Sequence, residues 1–105
     1  MTIREIAEQY LEGLRLREQA RQFSQRMLAQ KFECSRRVIG QVANRMPCNL
    51  PEDEKRLILS CIAERDRLKA RASELSMPRL CQVHGVAHQT IENELIRMGK
   101  WEVAA

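Results

Sequence analysis

Leu28-Ala29-Gln30-Lys31-Phe32-Glu33-Cys34-Ser35-Arg36-Arg37-Val38-Ile39 decides the fold of this 105-residue chain. It reads as the end of one short helix, a tight turn at Glu33-Cys34-Ser35, and a further helix that carries Val38, Ile39 and Val42. Ser24 stands where an N-cap is needed, which sets the first of these helices at about 25–32. The same punctuation returns further along. Ser76 is a suitable cap, Pro78 sits within a first turn, a short helix is predicted over about 77–84, and Gly85-Val86-Ala87 turns into a helix bearing Ile91, Leu95 and Ile96.

The offset between the two blocks is 52 residues, and it holds across the chain without a gap. Arg4, Ile6, Glu12, Arg15, Leu16, Ala20, Ser24, Leu28, Gln30, Ile39, Arg45 and Met46 fall on Arg56, Ile58, Glu64, Arg67, Leu68, Ala72, Ser76, Leu80, Gln82, Ile91, Arg97 and Met98. That pattern is a tandem duplication. Each copy begins with a long amphipathic helix. The first, over 3–23, places Ile3, Ile6, Ala7, Tyr10 and Leu14 at helical spacing, then Leu16, Ala20 and Phe23 on a slightly rotated stripe. The second follows Pro51, opens with Glu52, Asp53 and Glu54, and carries Leu57, Ile58, Cys61, Ile62, Leu68, Ala72 and Leu75. Gly13 stands where the second copy has Arg65. It reads as a tolerated interruption costing about 1 kcal/mol, with a bend or a close helix contact as the alternatives.

The expected architecture is therefore all-α, two tandem three-helix repeats: a first copy at 1–46, a linker at 47–52 marked by Pro47 and Pro51, and a second copy at 53–105. A unit of some 50 residues buries too little surface to be secure alone, since about 60 residues already bury only about 60% of their unfolded surface. The copies are expected to share a core or the chain to dimerise.

The formal net charge of +4 comes from one place. Residues 24–46 hold Arg26, Lys31, Arg36, Arg37 and Arg45 against Glu33 alone, while the segments on either side balance. A focused positive patch on a balanced chain points to an anionic polymer as partner. No apolar run reaches signal-peptide or membrane-span length, so the expected location is the cytoplasm. The four cysteines lack a CxxC pair in a helix-rich chain, which argues against a disulfide framework. Cys34, Cys61 and Cys81 read as small core residues, and Cys48, between the copies, as exposed and oxidisable.

The two short helices resemble the helix-turn-helix of bacterial and phage transcription regulators, over about 24–46 and, more loosely, about 76–98. The motif wants a small residue where the helices cross (Ala29, Cys81), an apolar plug at the turn (Cys34, Val86) and an apolar anchor in the second helix (Ile39, Ile91). The family usually has glycine at the turn, where a left-handed backbone is favoured; the second copy supplies Gly85 and the first departs from the pattern with Glu33. The resemblance implies double-stranded DNA as partner, with the helix at about 35–45 in the major groove. Ser35, Arg36, Arg37, Gln41 and Asn44 would then face bases, and Arg26, Lys31 and Arg45 phosphates. Gly40 within this helix costs stability and reads as an unremarkable glycine, with close approach of the backbone to the DNA as the alternative. A homodimer would set two such helices about 34 Å apart.

In the second copy His88, Gln89 and Asn93 form a possible second reader, but Glu92 and Glu94 beside them would repel phosphate. The second copy is thus expected to be degenerate as a reader and to serve packing, dimerisation or a protein partner. Cys81, His84 and His88 lack a fourth ligand, so no metal is assigned, and no arrangement of nucleophile, base or phosphate-binding loop suggests an enzyme or a cofactor. The alternative function is a protein-interaction module, such as a phage-type inhibitor or adaptor, that keeps the helix-turn-helix shape.

Overall fold

The computed structural model describes residues 1–101 and is all-helical, with no strand among the described residues. The helices are α1 (Ile3–Arg21), α2 (Gln25–Lys31), α3 (Arg36–Ala43), α4 (Glu52–Glu74), α5 (Met77–His84) and α6 (His88–Arg97). The order is long, short, short, twice over. Among the described residues no helix is long and apolar enough to cross a membrane.

Local chemistry sets the boundaries. Ser24 Oγ accepts the Met27 N–H at 3.3 Å and Ser35 Oγ accepts the Val38 N–H at 3.3 Å, each filling one of the orphan donors at a helix start. At α5 the serine, Ser76, makes no such bond and Pro78 occupies the first turn instead; α6 starts at Ala87 without a side-chain cap. Both turns within the short-helix pairs use a left-handed residue: Glu33 at φ 53° and Gly85 at φ 64°. The Cys34 N–H then donates to the Ala29 carbonyl at 3.0 Å, and the Val86 N–H to the Cys81 carbonyl at 3.2 Å. The departure from glycine at Glu33 thus leaves the turn conformation intact, with a backbone that costs a side-chain-bearing residue about 1–2 kcal/mol.

The chain divides into two compact units that cut across the sequence copies. One unit is Met1–Leu16 together with the chain from Arg71 onward, and the other is Arg17–Ala70. Helix length is the physical reason. At 1.5 Å per residue, α1 is about 28 Å long and α4 about 34 Å, more than one small core can cover, so each long helix serves both units.

In the first unit the front of α1 packs on α5 and α6, and the core is Ile6, Ala7, Leu75, Met77, Leu80, Ile91 and Leu95. Cys81, Val86, Met98 and Trp101 close over it, with the Tyr10 and Trp101 rings 5.9 Å apart. Gly13 is buried here, and a Cβ on it would meet Leu75 Cβ at 2.9 Å. The glycine is a close helix contact, which corrects its reading as mere tolerance.

In the second unit α2 and α3 pack on the front of α4, around Leu28, Ala29, Ile39, Val42 and Ile58. Phe23, Phe32, Cys34, Cys48, Leu50 and Cys61 lie against that core. Cys48, within the linker, is therefore half-buried and not exposed, a second correction; its small apolar thiol fills space beside Cys34 and Leu50. Two members of the expected apolar stripes also face outward, Leu14 at 40% exposure and Leu57 at 56%.

Candidate nucleic-acid interface

The basic segment 24–46 lies wholly in the Arg17–Ala70 unit, on α2, α3 and the turns that bound them. Arg26, Lys31, Arg36, Arg37 and Arg45 are all exposed. Among the described residues none of the five forms an ion pair, whereas eight of the thirteen lysines and arginines elsewhere do, among them Arg15 with Glu12 and Arg67 with Glu64 at 2.6 Å, Arg71 with Glu74 at 2.9 Å and Arg97 with Glu94 at 3.1 Å. The hydrogen bond from Arg15 and its positive charge hold the Glu12 carboxyl below its ordinary value. The surplus charge on α2 and α3 has no such internal counterweight.

The predicted contact residues fall into separate places. Arg26 and Arg36 come together, with Gln30, around a shallow concavity of ≈ 440 Å³ where α2 meets α3. Arg37 stands exposed on the next position of α3. Lys31 keeps its ammonium 5.8 Å from the centre of the Phe32 ring, a distance at which the cation is attracted to the ring face. Gln41 is half-buried and lines a different hollow with Val38, Cys48 and Leu50, and Arg45 lines a third with Pro47, Glu52 and Lys55. Ser35 and Asn44 hold the two ends of α3: Ser35 Oγ is engaged in the N-cap, and Asn44 is the C-cap residue, its N–H donating to the Gly40 carbonyl. Gly40 is open, its nearest neighbour being Gln25 Nε2 at 4.0 Å from the position a Cβ would take.

Gln30 is the functional candidate that sequence reasoning passed over. It was visible as one of the polar positions identical in both copies, opposite Gln82, and only the concavity shows that it stands beside Arg26 and Arg36. A glutamine amide in the same concavity as two arginines offers both a donor and an acceptor to a base edge.

The second helix pair is organised differently. His88 Nε2 lies 2.9 Å from Glu92 Oε1, and Gln89 Nε2 donates to Asn93 Oδ1 at 2.9 Å, so the three possible readers are held along α6 by neighbours on that helix. Val83 and Ile96 are 58% and 49% exposed, at the positions where the first copy has Lys31 and Asn44. Among the described residues no three His, Cys, Asp or Glu side chains gather closely enough to hold a metal ion. The Cys34 thiol, in the α2–α3 turn, is pushed above its ordinary value by burial and, to a lesser degree, by its electrostatic neighbours Glu54 and Cys48.

Comparison with protein-family models, with curated proteins and with solved structures finds no match to this chain.

Proposed function

We propose that the chain is a sequence-specific double-stranded DNA-binding regulator of transcription, of helix-turn-helix type, acting in the cytoplasm, with α3 as the element that enters the major groove. The observation that carries this is the set of five exposed cations on and around α2 and α3 that form no ion pair among the described residues, Arg26 and Arg36 sharing one concavity with Gln30. An exposed cation without an internal partner is available to displace counterions from a phosphate backbone. Arg36 and Arg37 also have the forked donors that bridge O6 and N7 of guanine. Because one short helix reads only a few base pairs, a homodimer with two α3 helices about 34 Å apart is the proposed assembly.

The decisive experiment is selection of bound duplexes from a random pool, followed by gel-shift of the enriched site at several salt concentrations. The expected outcome is one enriched motif, with an affinity whose logarithm falls with the logarithm of salt at a slope of roughly −0.9 per phosphate contact. No enrichment over the starting pool would overturn the proposal.

The exposed Val83 and Ile96 support a second role for the other helix pair, a protein-docking face in place of a second reader. Co-purification that depends on Val83 and Ile96 but not on Arg36 would favour the protein-interaction alternative.

A further inference from the structure

In the Arg17–Ala70 unit a cavity of ≈ 430 Å³ opens between the C-terminal part of α1, the start of α2 and the middle of α4. Arg17 and Arg21 line it from α1, and Arg65 and Lys69 from α4. Within each pair the residues are four apart and share one helix face, so two cationic helix faces contribute to one hollow. Ser24 and Gln25 border it from the start of α2, and the wall itself is mostly apolar, with the buried Ala20 part of it.

The chain itself neutralises this cluster only in part. Glu18 sits 3.2 Å from Arg21 and Asp66 3.2 Å from Arg65, while Arg17 and Lys69 form no ion pair among the described residues. The Arg65 side chain is only 19% exposed, so it is held in the hollow against the ordinary tendency of an arginine to reach for water. Arg17, Arg21 and Lys69 are exposed, so water screens much of the repulsion among the four cations, but an anion seated between them would be attracted by all four. Guanidinium forks match phosphate oxygens two at a time, and lysine adds a point charge. The volume lies within the range of about 300–1,000 Å³ typical of small-molecule sites, and a concave hollow receives a compact molecule more readily than the convex edge of a duplex.

We propose that this cavity binds a small oligophosphate, a compact anion with two or more linked phosphate groups, held by Arg17, Arg21, Arg65 and Lys69. The site is distinct from the Arg26–Gln30–Arg36 concavity, and its occupancy does not require DNA.

The test is isothermal titration of the full chain with sodium tripolyphosphate, without DNA, at about 0.15 M salt so that loose surface association is screened. Saturable one-to-one binding is expected. The Arg17→Gln/Lys69→Gln variant should bind at least about tenfold more weakly, whereas Arg36→Ala/Arg37→Ala should stay within about twofold of the parent. Should the glutamine variant fail to fold, amide chemical-shift changes in the parent decide: changes centred on Ala20, Ser24 and Gln25 support the site. Absence of saturable binding, loss of binding in the Arg36→Ala/Arg37→Ala variant, or shifts centred on α3 would overturn it. A glutamine variant that weakens duplex binding while the parent ignores tripolyphosphate would also overturn it, by assigning these cations to the DNA backbone.

Discussion

Gly13 of α1 lies flush against Leu75: a Cβ built at Gly13 would stand 2.9 Å from Leu75 Cβ and 3.0 Å from the Leu75 carbonyl oxygen. The first distance is shorter than side-chain packing allows and the second is tighter than most real contacts, with an opposing backbone atom that cannot swing aside. Gly13→Ala therefore sets a helix-propensity gain of about 1 kcal/mol against overpacking of about 1–3 kcal/mol. A net loss is expected, read as a lower melting temperature by several degrees. Gly40→Ala is the control. Its nearest neighbour is 4.0 Å away, so the same change on α3 should raise the melting temperature. Equal effects at the two positions would show that the contact with Leu75 gives way.

The two left-handed turn residues predict opposite responses. Glu33 carries a side chain at φ 53°, and Glu33→Gly should relieve the strain and stabilise by up to about 1 kcal/mol in a urea titration. Gly85 adopts φ 64° with open space around it, so Gly85→Ala should lose about 1–2 kcal/mol through backbone strain alone.

Capping and DNA contact can be separated on α3. Ser35→Ala should destabilise by about 1 kcal/mol because the Val38 N–H loses its acceptor. Under the proposed function Arg36→Ala/Arg37→Ala should instead leave helical circular dichroism unchanged and lower affinity for the selected site by two or more orders of magnitude, each bidentate base contact being worth about 1–3 kcal/mol. Alanine at His88, Gln89 and Asn93, whose side chains are held by neighbours along α6, should weaken DNA binding far less. Equal losses from the two sets would make both helix pairs readers.

Burial holds the proton on the Cys34 thiol more firmly than in the unfolded chain. The stability this contributes is present in full below the ordinary thiol range and is lost as pH rises through the raised folded value. Melting temperature should therefore decline above the ordinary thiol range, and Cys34→Ala should flatten the decline. At pH 8 iodoacetamide should modify Cys34 in the native chain more slowly than in urea; equal rates would contradict its burial.

The all-α class and the course of the six helices were legible because helical periodicity, serine caps, prolines and turn residues are local signals. The short helix expected over 77–84 is α5 at Met77–His84, and of the two expected serine caps Ser24 bonds the first turn of α2 while Ser76 makes no side-chain bond at α5. The candidate site was legible as a concentration of charge. Its division was not: Gln41 turns toward the linker and Arg45 toward the start of α4, while Gln30 joins Arg26 and Arg36. Spacing along a helix states which residues share a face, but not which neighbouring element that face meets.

By itself the sequence determined what each segment must do locally: form a helix of a given length, stop at a given cap, present an apolar stripe, and place five cations between Ser24 and Met46. Tertiary structure alone decided which stripe covers which core. The front of α1 packs with α5 and α6, and the front of α4 with α2 and α3. Leu14 and Leu57 are left outside, and Gly13 becomes a contact point. The reason is that local hydrogen bonding and periodicity act over one or two turns, whereas burial is settled by whichever distant surfaces exclude water together, and no single segment carries that information.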